Sequence, residues 1–226
     1  RFSNSEEKLT PSSKDLPLCF ESMVEVRKAV KDFSLNMKPV LVHGESGTGK
    51  EFIAQAIHKQ SSKSDRPFVK INCSFRQARA IHSLLFKRPE KGLKNTSPSN
   101  EASEEKVIYL SNIDSLSKGL QEKLAEALNA NGSSSETPHL ELMPIRIFAS
   151  STQDLATLSE KGQFHPALLD AFKSSTLLVP PLRDYAVSIP AMAKDYLAET
   201  QKTQNASIPE IGEDALAALC RYTWPE

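Results

Sequence analysis

The stretch LVHGESGTGKEFIAQAIH, residues 41–58, decides the fold. It contains an apolar strand that ends in glycine, seven residues that fit the pattern G-x-x-x-x-G-K, and a helix with one apolar face. Glycines let backbone N–H groups turn inward around phosphate oxygens, and the start of a helix adds partial positive charge. The order of strand, glycine loop and helix therefore predicts a phosphate-binding loop in a parallel α/β sheet.

Each residue of this loop has an expected role. The glycines permit close approach of a phosphate, and Lys50 would reach the terminal phosphates of a nucleotide as a point charge. Glu51 stands where a magnesium-binding Ser or Thr usually follows the lysine. The residues expected to bind the nucleotide are Gly44, Glu45, Ser46, Gly47, Thr48, Gly49, Lys50 and Glu51. The alternative is a glycine-rich connection that holds no ligand.

Strands and helices alternate on both sides of the loop, as expected for a parallel sheet. Further strands are predicted in PFVKINC, KVIYL, IRIFAS and TLLVPPL. Helices are predicted in FESMVEVRKAVKDFSL, GLQEKLAEALNA, SIPAMAKDYLAETQK and EDALAALCRYTW. Polar stretches at residues 87–105 and in NGSSSETPH predict loops. We expect a linker at residues 1–15, an α/β unit at 16–182 and the start of a helical unit at 183–226.

The composition of the chain excludes some classes of binding partner. Lys and Arg together number 28, as do Asp and Glu, so no overall positive charge favours nucleic acid. The three cysteines, Cys19, Cys73 and Cys220, cannot all pair and show no metal-ligand spacing, which favours a reducing cytoplasm. Cys73 is expected in the core, because it follows a predicted strand. No apolar run is long enough to cross a membrane, so no membrane partner is expected.

The motifs, taken in order, are those of one family. GESGTGKE with its following helix resembles the AAA+ domain of bacterial enhancer-binding proteins, the activators of sigma-54 RNA polymerase. RPFVKINC, GLQEKLAEAL, IRIFASSTQDL, GQFHPALLDAF, LLVPPLR and ALCRYTWPE resemble later segments of the same domain. The resemblance implies a P-loop AAA+ parallel sheet sandwiched by helices, with a small helical lid that is truncated here. It also implies a ring ATPase of six or seven subunits. Arg183 matches an arginine at the lid hinge, where it either contacts phosphate or has a structural role.

The chain departs from the family where hydrolysis is concerned. The family's acidic strand ends in Asp-Glu, and the matching residues here are Ser111 and Asn112. Neither side chain acts as a general base near neutral pH, and neither brings charge to a metal ion. Asp114 lies two residues further on. It is either a relocated carboxylate that replaces the lost acids or an exposed or helix-capping residue.

Three further motifs of the family are altered. The two arginine-finger positions hold His165 and Ala171, and the sensor strand ends in Ser151 and Thr152 instead of Thr-Asn. The segment around residues 93–96 lacks the hydrophobic G-A-F-T-G-A loop that contacts sigma-54. These departures predict a domain that binds ATP or ADP but neither hydrolyses ATP nor remodels sigma-54 polymerase. No catalytic residue and no protein metal ligand are expected, and magnesium would have few ligands.

The resemblance also implies partners. Relatives of the VpsR and FleQ type lack the sigma-54 loop, work with sigma-70 polymerase and respond to cyclic di-GMP, which makes that dinucleotide a further candidate ligand. We expect DNA binding through an excised C-terminal domain, sigma-70 polymerase as a partner, and a homo-oligomer that is either a dimer or a ring. There are two alternatives. One is a slow ATPase that uses Asp114 or Glu51, and the other is a protein-interaction module whose nucleotide site is empty. A loose basic group, Arg76, Arg79 and Arg88, is either a solvated face or a guanine-stacking or partner site.

Overall fold

The computed structural model describes residues 23–75, 78–86, 106–130, 144–204 and 210–225. The expected linker at residues 1–15 and the polar loops expected at 87–105 and in NGSSSETPH lie outside this part of the chain, as do Arg76, Arg88 and Cys19. The described residues form two compact units. One comprises residues 29–180, and the other comprises residues 181–225 with 23–28. The change falls two residues before the boundary expected from the sequence.

A five-stranded sheet forms the centre of the larger unit. Its strands are β1 (Val40–His43), β2 (Phe68–Asn72), β3 (Lys106–Ser111), β4 (Pro144–Ser151) and β5 (Thr176–Leu178). They lie in the order β2-β3-β4-β1-β5, and every neighbouring pair is parallel. The predicted parallel α/β fold is confirmed. Because all strands point the same way, the segments that leave β1, β3 and β4 emerge at one edge of the sheet.

One helix precedes β1, and the others connect the strands. They are α1 (Val24–Ser34), α2 (Lys50–Lys59), α3 (Ala78–Leu85), α4 (Lys118–Ala130), α5 (Leu155–Glu160) and α6 (Pro166–Phe172). The sequence predicted α1, α2 and α4, but α3, α5 and α6 were missed because they are short. Two of the missed helices carry a start signal. The Asp154 carboxylate accepts a hydrogen bond from the N–H of Ala156 at 3.0 Å at the start of α5, and Pro166 is the first residue of α6.

The core packs the middle strands against α4 and α6. Ile108 and Leu110 of β3, Leu124 of α4 and Phe172 of α6 are each no more than 2% exposed and belong to one apolar cluster. Burying each of these side chains stabilises the fold by roughly 1.5–3 kcal/mol relative to leaving it in water. This cluster holds the carboxyl ends of the strands in fixed positions.

Arg146 is a charged residue inside this unit. It is 2% exposed, its Nε donates to the carbonyl of Lys38 at 3.1 Å, and its Nη2 donates to the carbonyl of Phe33 at 2.7 Å. The guanidinium also lies 4.6 Å from the centre of the Phe148 ring. Burial lowers the pKa of Arg146 to about 10. The Arg146 guanidinium therefore links the end of α1 to the sheet, and no sequence pattern predicted this role.

The smaller unit is helical. It contains a 3-10 segment at Leu182–Ser188, α7 (Ile189–Gln204) and α8 (Glu213–Arg221). The Trp224 ring donates from Nε1 to the carbonyl of Leu219 at 2.9 Å and packs edge-on against Tyr222 at 5.2 Å between ring centres. Trp224 thus anchors the end of α8. No helix in the described part of the chain has the length and apolar character needed to cross a membrane.

Candidate phosphate-binding site

The loop from Gly44 to Lys50 joins β1 to α2 and needs its glycines for different reasons. Gly47 and Gly49 have φ angles of 72° and 80°, in the left-handed region where a side chain is strained. Gly44 is buried, and a Cβ there would lie 2.8 Å from the carbonyl oxygen of Val179. Any side chain at Gly44 would push the loop away from β5. The predicted glycine cradle is therefore present in both its backbone angles and its packing.

The start of α2 leaves backbone donors for a ligand. The helix begins at Lys50, and its preceding residue Gly49 provides no side-chain cap. The N–H of Ile53 bonds the carbonyl of Gly49 at 3.0 Å, so the N–H groups before Ile53 have no partner within the helix. Unbonded N–H groups at a helix start, together with the helix dipole, form an anion site.

Lys50 is held over the loop. Its ammonium donates to the carbonyl of Gly44 at 2.9 Å and to that of Glu45 at 2.5 Å. Burial lowers the pKa of Lys50. The Thr48 hydroxyl also donates to the Glu45 carbonyl, at 2.9 Å. These bonds shape the cradle from its own carbonyls, and a bound phosphate would compete with them for the ammonium. Ser46 lies exposed at the tip of the loop.

Glu51 points to other partners. Its carboxylate forms an ion pair with Lys70 of β2 and accepts a hydrogen bond from Gln55 at 3.1 Å. Glu51 therefore sits in the predicted loop but is engaged on the sheet side of α2. Because Glu51 is held in this way and its position lacks a hydroxyl, the residues after Lys50 do not fit the usual magnesium set.

The end of β3 carries neutral side chains. Asn112 has φ 54° and ψ 55°, a left-handed conformation that asparagine tolerates well, and its amide donates to Asn72 at 3.3 Å. The Ser111 hydroxyl lies 3.5 Å from the carbonyl of Ile71. Both side chains are thus directed toward β2. No carboxylate occupies the two positions where the family's acidic pair would stand.

Asp114 contacts the end of β4, the strand that the sequence matched to the family's sensor strand. Its Oδ1 accepts a hydrogen bond from the Ser151 hydroxyl at 2.7 Å. Ser151 is fully buried, and its carbonyl accepts from the N–H of Gly44 at 3.4 Å, so Asp114 lies one residue away from the phosphate loop. Of the two roles that the sequence left open for Asp114, that of an exposed or helix-capping carboxylate is wrong, because Asp114 is half-buried and bonded to Ser151. The left-handed Asn112 starts a 3-10 turn, Ile113–Ser115, that places the carboxylate at the edge of the sheet.

Ser151 is the last residue of β4. It donates to Asp114 and accepts from the N–H of Gln153 at 2.9 Å. A hydroxyl carries a single proton, so Ser151 in this arrangement has none left for a phosphate. Thr152, the next residue, is exposed. The sensor strand is therefore engaged with Asp114 rather than directed at the loop.

The two positions that the sequence matched to the family's arginine fingers lie on or beside α6. His165 immediately precedes that helix, and its backbone N–H donates to the buried amide oxygen of Gln121 at 2.8 Å. Ala171 lies inside the same helix. Neither residue supplies a guanidinium. His165 is half-buried rather than on the open surface, and its backbone contact gives it a structural role.

Cys73 and metal binding can be judged from burial and spacing. Cys73 is 4% exposed, and burial, followed by the charge of Asp114, raises the pKa of its thiol to about 12. The core role expected for Cys73 is confirmed. Among the described residues, no cluster of three or more His, Cys, Asp or Glu side chains could hold a metal ion. Arg183 lies in the 3-10 segment of the smaller unit, and its role at phosphate remains a prediction.

The chain is similar in sequence to known regulatory proteins. The chain is 33% identical over 214 residues to the DNA-binding transcriptional activator HyfR of Escherichia coli, covering 91% of this chain and 31% of HyfR. It is 30% identical over 210 residues to the regulatory protein AtoC of the same species, covering 90% of this chain and 45% of AtoC. The chain thus spans less than half the length of these relatives.

Solved structures share the fold. NtrX from Brucella abortus in complex with ADP superposes with a TM-score of 0.73 at 23% identity, over 92% of this chain and 46% of that one. NtrX in complex with ATP gives 0.71 at 22% identity, over 92% and 48%. A family model described as the Sigma-54 interaction domain matches residues 19–177. The chain therefore belongs to the Sigma-54 interaction domain family, whose core is an AAA+ P-loop sheet.

Proposed function

We propose that this chain is the nucleotide-binding regulatory domain of a bacterial transcription regulator, and that it binds ATP or ADP without hydrolysing it. The observation that carries this proposal is the pairing of a complete glycine cradle at the end of β1 with a neutral Ser111–Asn112 pair at the end of β3. The first feature favours phosphate binding. The second removes the charges on which hydrolysis depends.

Binding is supported by three independent contributions. The glycine angles open the loop, the uncapped start of α2 offers N–H donors, and Lys50 supplies a positive charge. Hydrogen bonds to a charged group contribute roughly 1.5–3 kcal/mol each. NtrX, whose fold the chain shares, has been solved in complex with ADP and with ATP, which supports a nucleotide as the ligand of this loop.

The loss of hydrolysis is supported by the residues at the positions that the family uses for catalysis. Ser111 and Asn112 cannot take a proton from water near neutral pH. His165 and Ala171 stand at the positions of the arginine fingers, and such an arginine contributes about 10³–10⁵ to the rate in related phosphoryl transfer. Each change alone would slow hydrolysis. Together they favour a nucleotide that acts as a bound signal.

A second candidate is a slow ATPase that uses Asp114. The contact of 2.7 Å between Asp114 and Ser151 supports it, because it places a carboxylate beside the first residue of the loop. If Asp114 turned from Ser151 toward a bound nucleotide, it could accept a proton from water. The same movement would free the Ser151 hydroxyl to donate to a phosphate. Either role would require the present hydrogen bond to break.

The finer regulatory role rests on the family resemblance. We propose that the complete regulator binds DNA through another domain, acts with sigma-70 rather than sigma-54 polymerase, and forms a homo-oligomer, either a dimer or a ring. HyfR is described as a DNA-binding transcriptional activator, which supports the first of these proposals. Cyclic di-GMP remains the alternative ligand, and magnesium would contribute little to nucleotide binding.

The test measures binding and turnover in the same preparation. Titration with ATP and with ADP should give micromolar binding, and phosphate release should not exceed that of buffer. No binding at millimolar nucleotide would overturn both candidates. Multiple turnover would support the second candidate if it disappears in Asp114→Asn and survives in Asp170→Asn. Asp170 is a matched control because it is an exposed aspartate on α6 whose ion pair with Lys173, at 3.9 Å, is long.

A further inference from the structure

An open cleft of about 500 Å³ separates α3 from α4. Its volume falls within the range of roughly 300–1,000 Å³ that is typical of small-molecule sites. It shares no residue with the phosphate loop. Its lining comes from one helix on each side: Ala78, Arg79, His82 and Ser83 on α3, and Ser117, Gly119, Leu120 and Lys123 on α4 and just before it.

Among the described residues that line the cleft, the charged groups are all basic and none is a carboxylate. Arg79 and Lys123 stand on opposite helices. The Lys123 ammonium lies 3.4 Å from Nε2 of His82, across the two helices. No partner for the Arg79 guanidinium lies in the part of the chain that the structure describes. A concave surface with one sign of charge concentrates ions of the opposite sign.

The floor of the cleft is apolar. Leu120 is 5% exposed, and the His82 ring packs against Phe86 with 5.0 Å between ring centres. Gly119 leaves room, because a Cβ there would meet no atom within 4 Å. The Ser83 hydroxyl donates to the carbonyl of Ala80 at 3.0 Å, so its oxygen can still accept a hydrogen bond. The site therefore combines an apolar floor with a cationic rim.

We propose that this cleft binds a small organic anion, a carboxylate or phosphate group attached to an apolar body. Arg79 and Lys123 hold the anionic group from the two helices, and the apolar body lies over Leu120 and Gly119. The sequence allowed Arg79 to belong either to a solvated face or to a binding site, and its position in the cleft favours the second. This ligand is separate from the nucleotide proposed for the phosphate loop.

The cleft is joined to the sheet edge by a short segment. Ser117, in its lining, lies three residues after Asp114, and the intervening Ser115 hydroxyl is 3.1 Å from that of Ser74. Ser74 follows β2 just before α3. A ligand that draws α3 and α4 together would therefore act on the turn that carries Asp114. This position suits an input signal.

The test uses the 226-residue chain carrying Lys50→Ala, so that the phosphate loop does not compete for the probes. Phenyl phosphate and benzoate are titrated by NMR, with benzyl alcohol as an uncharged probe of similar size and inorganic phosphate as an anion without an apolar body. Both aromatic anions should bind more tightly than benzyl alcohol and inorganic phosphate. Equal binding of benzoate, phenyl phosphate and benzyl alcohol would overturn the proposal.

Variants locate the binding. Arg79→Ala and Lys123→Ala should each lower the affinity for benzoate by about two- to fivefold, as expected for exposed charges. Gly119→Leu should abolish binding by filling the cleft, and Lys59→Ala, which changes a distant lysine on α2, should change nothing. Unchanged affinity in Arg79→Ala, an exposed side chain whose loss leaves the core intact, would overturn the proposal even if Gly119→Leu failed to fold. Neither result depends on nucleotide binding.

Discussion

The carboxyl ends of β1 and β3 lie on either side of β4 in the same sheet and differ in what they keep. The end of β1 carries a complete phosphate loop, with its glycine angles and its lysine in place. The end of β3 carries serine and asparagine turned toward β2. The difference supports the proposal that phosphate binding, which rests on the backbone, is kept, and that hydrolysis, which rests on a few side chains, is lost.

The two ends also differ in how freely they can change. A side chain at Gly44 or Gly49 would distort the loop through close contact or backbone strain. At the end of β3, the neutral side chains of Ser111 and Asn112 form hydrogen bonds to β2. Asparagine also tolerates the left-handed backbone angles found at residue 112. The proposed loss of hydrolysis therefore requires no change in the fold or in the glycine loop.

The largest expected effect comes from removing the charge at the end of β1. Lys50→Ala should weaken ATP and ADP binding by about 10- to 100-fold, because a charged donor to phosphate contributes roughly 1.5–3 kcal/mol. Isothermal titration measures the change. Lys59→Ala, at the other end of α2, should leave the affinity unchanged. Equal affinity in Lys50→Ala and the unaltered chain would remove the phosphate loop from the proposed function.

The glycine angles give the next effect. Gly49→Ala and Gly162→Ala both place alanine at a positive φ, 80° and 66°, with no close contact to the new Cβ. Each should cost roughly 1–2 kcal/mol of stability, measured by urea unfolding. Nucleotide affinity should fall only in Gly49→Ala, since Gly162 lies outside the loop. A fall in both variants would mean that the loss reflects global stability.

Returning one charge to the end of β3 should have a smaller effect. Ser111→Asp places a carboxylate where the family has one, so magnesium should improve ATP binding by about fivefold more than in the unaltered chain. Titrations with and without magnesium measure this difference. Ser111→Asn is the neutral control and should show no gain. If both variants respond alike, position 111 does not face the nucleotide.

The smallest effect concerns the far end of α2 and separates folding from ligand binding. His58 is 5% exposed, its Nε2 bonds the carbonyl of Arg66 at 3.0 Å, and burial lowers its pKa. The unfolded chain takes a proton at a higher pH than the folded chain does. Stability should therefore be full above the ordinary histidine pKa of roughly 6.5 and fall as the pH drops below it.

Urea unfolding between pH 8 and pH 5 measures this dependence. His58→Gln keeps a donor for the Arg66 carbonyl but does not titrate, so its stability should vary less with pH over that range. Nucleotide affinity at pH 8 should be the same in both chains. A pH profile that is identical in His58→Gln would assign the dependence to other groups.

The sequence allowed the site to be predicted wherever the signal was local. The loop from Gly44 to Lys50, the strands beside it and the neutral pair at Ser111 and Asn112 follow from neighbouring residues and their order. The short helices α3, α5 and α6 were missed, since six to eight residues give little periodicity. The contact of Asp114 with Ser151 was missed because it joins residues 37 positions apart and depends on the left-handed angle of Asn112.

The sequence by itself determined the class of the fold, the cradle and the absence of acids at the end of β3, because each is written in residues adjacent along the chain. Only the tertiary structure decided where the Asp114 carboxylate lies, why Arg146 is buried, and that Arg79 and Lys123 face one cleft. Such contacts arise between segments that the sheet topology brings together. No pattern within a single segment records them.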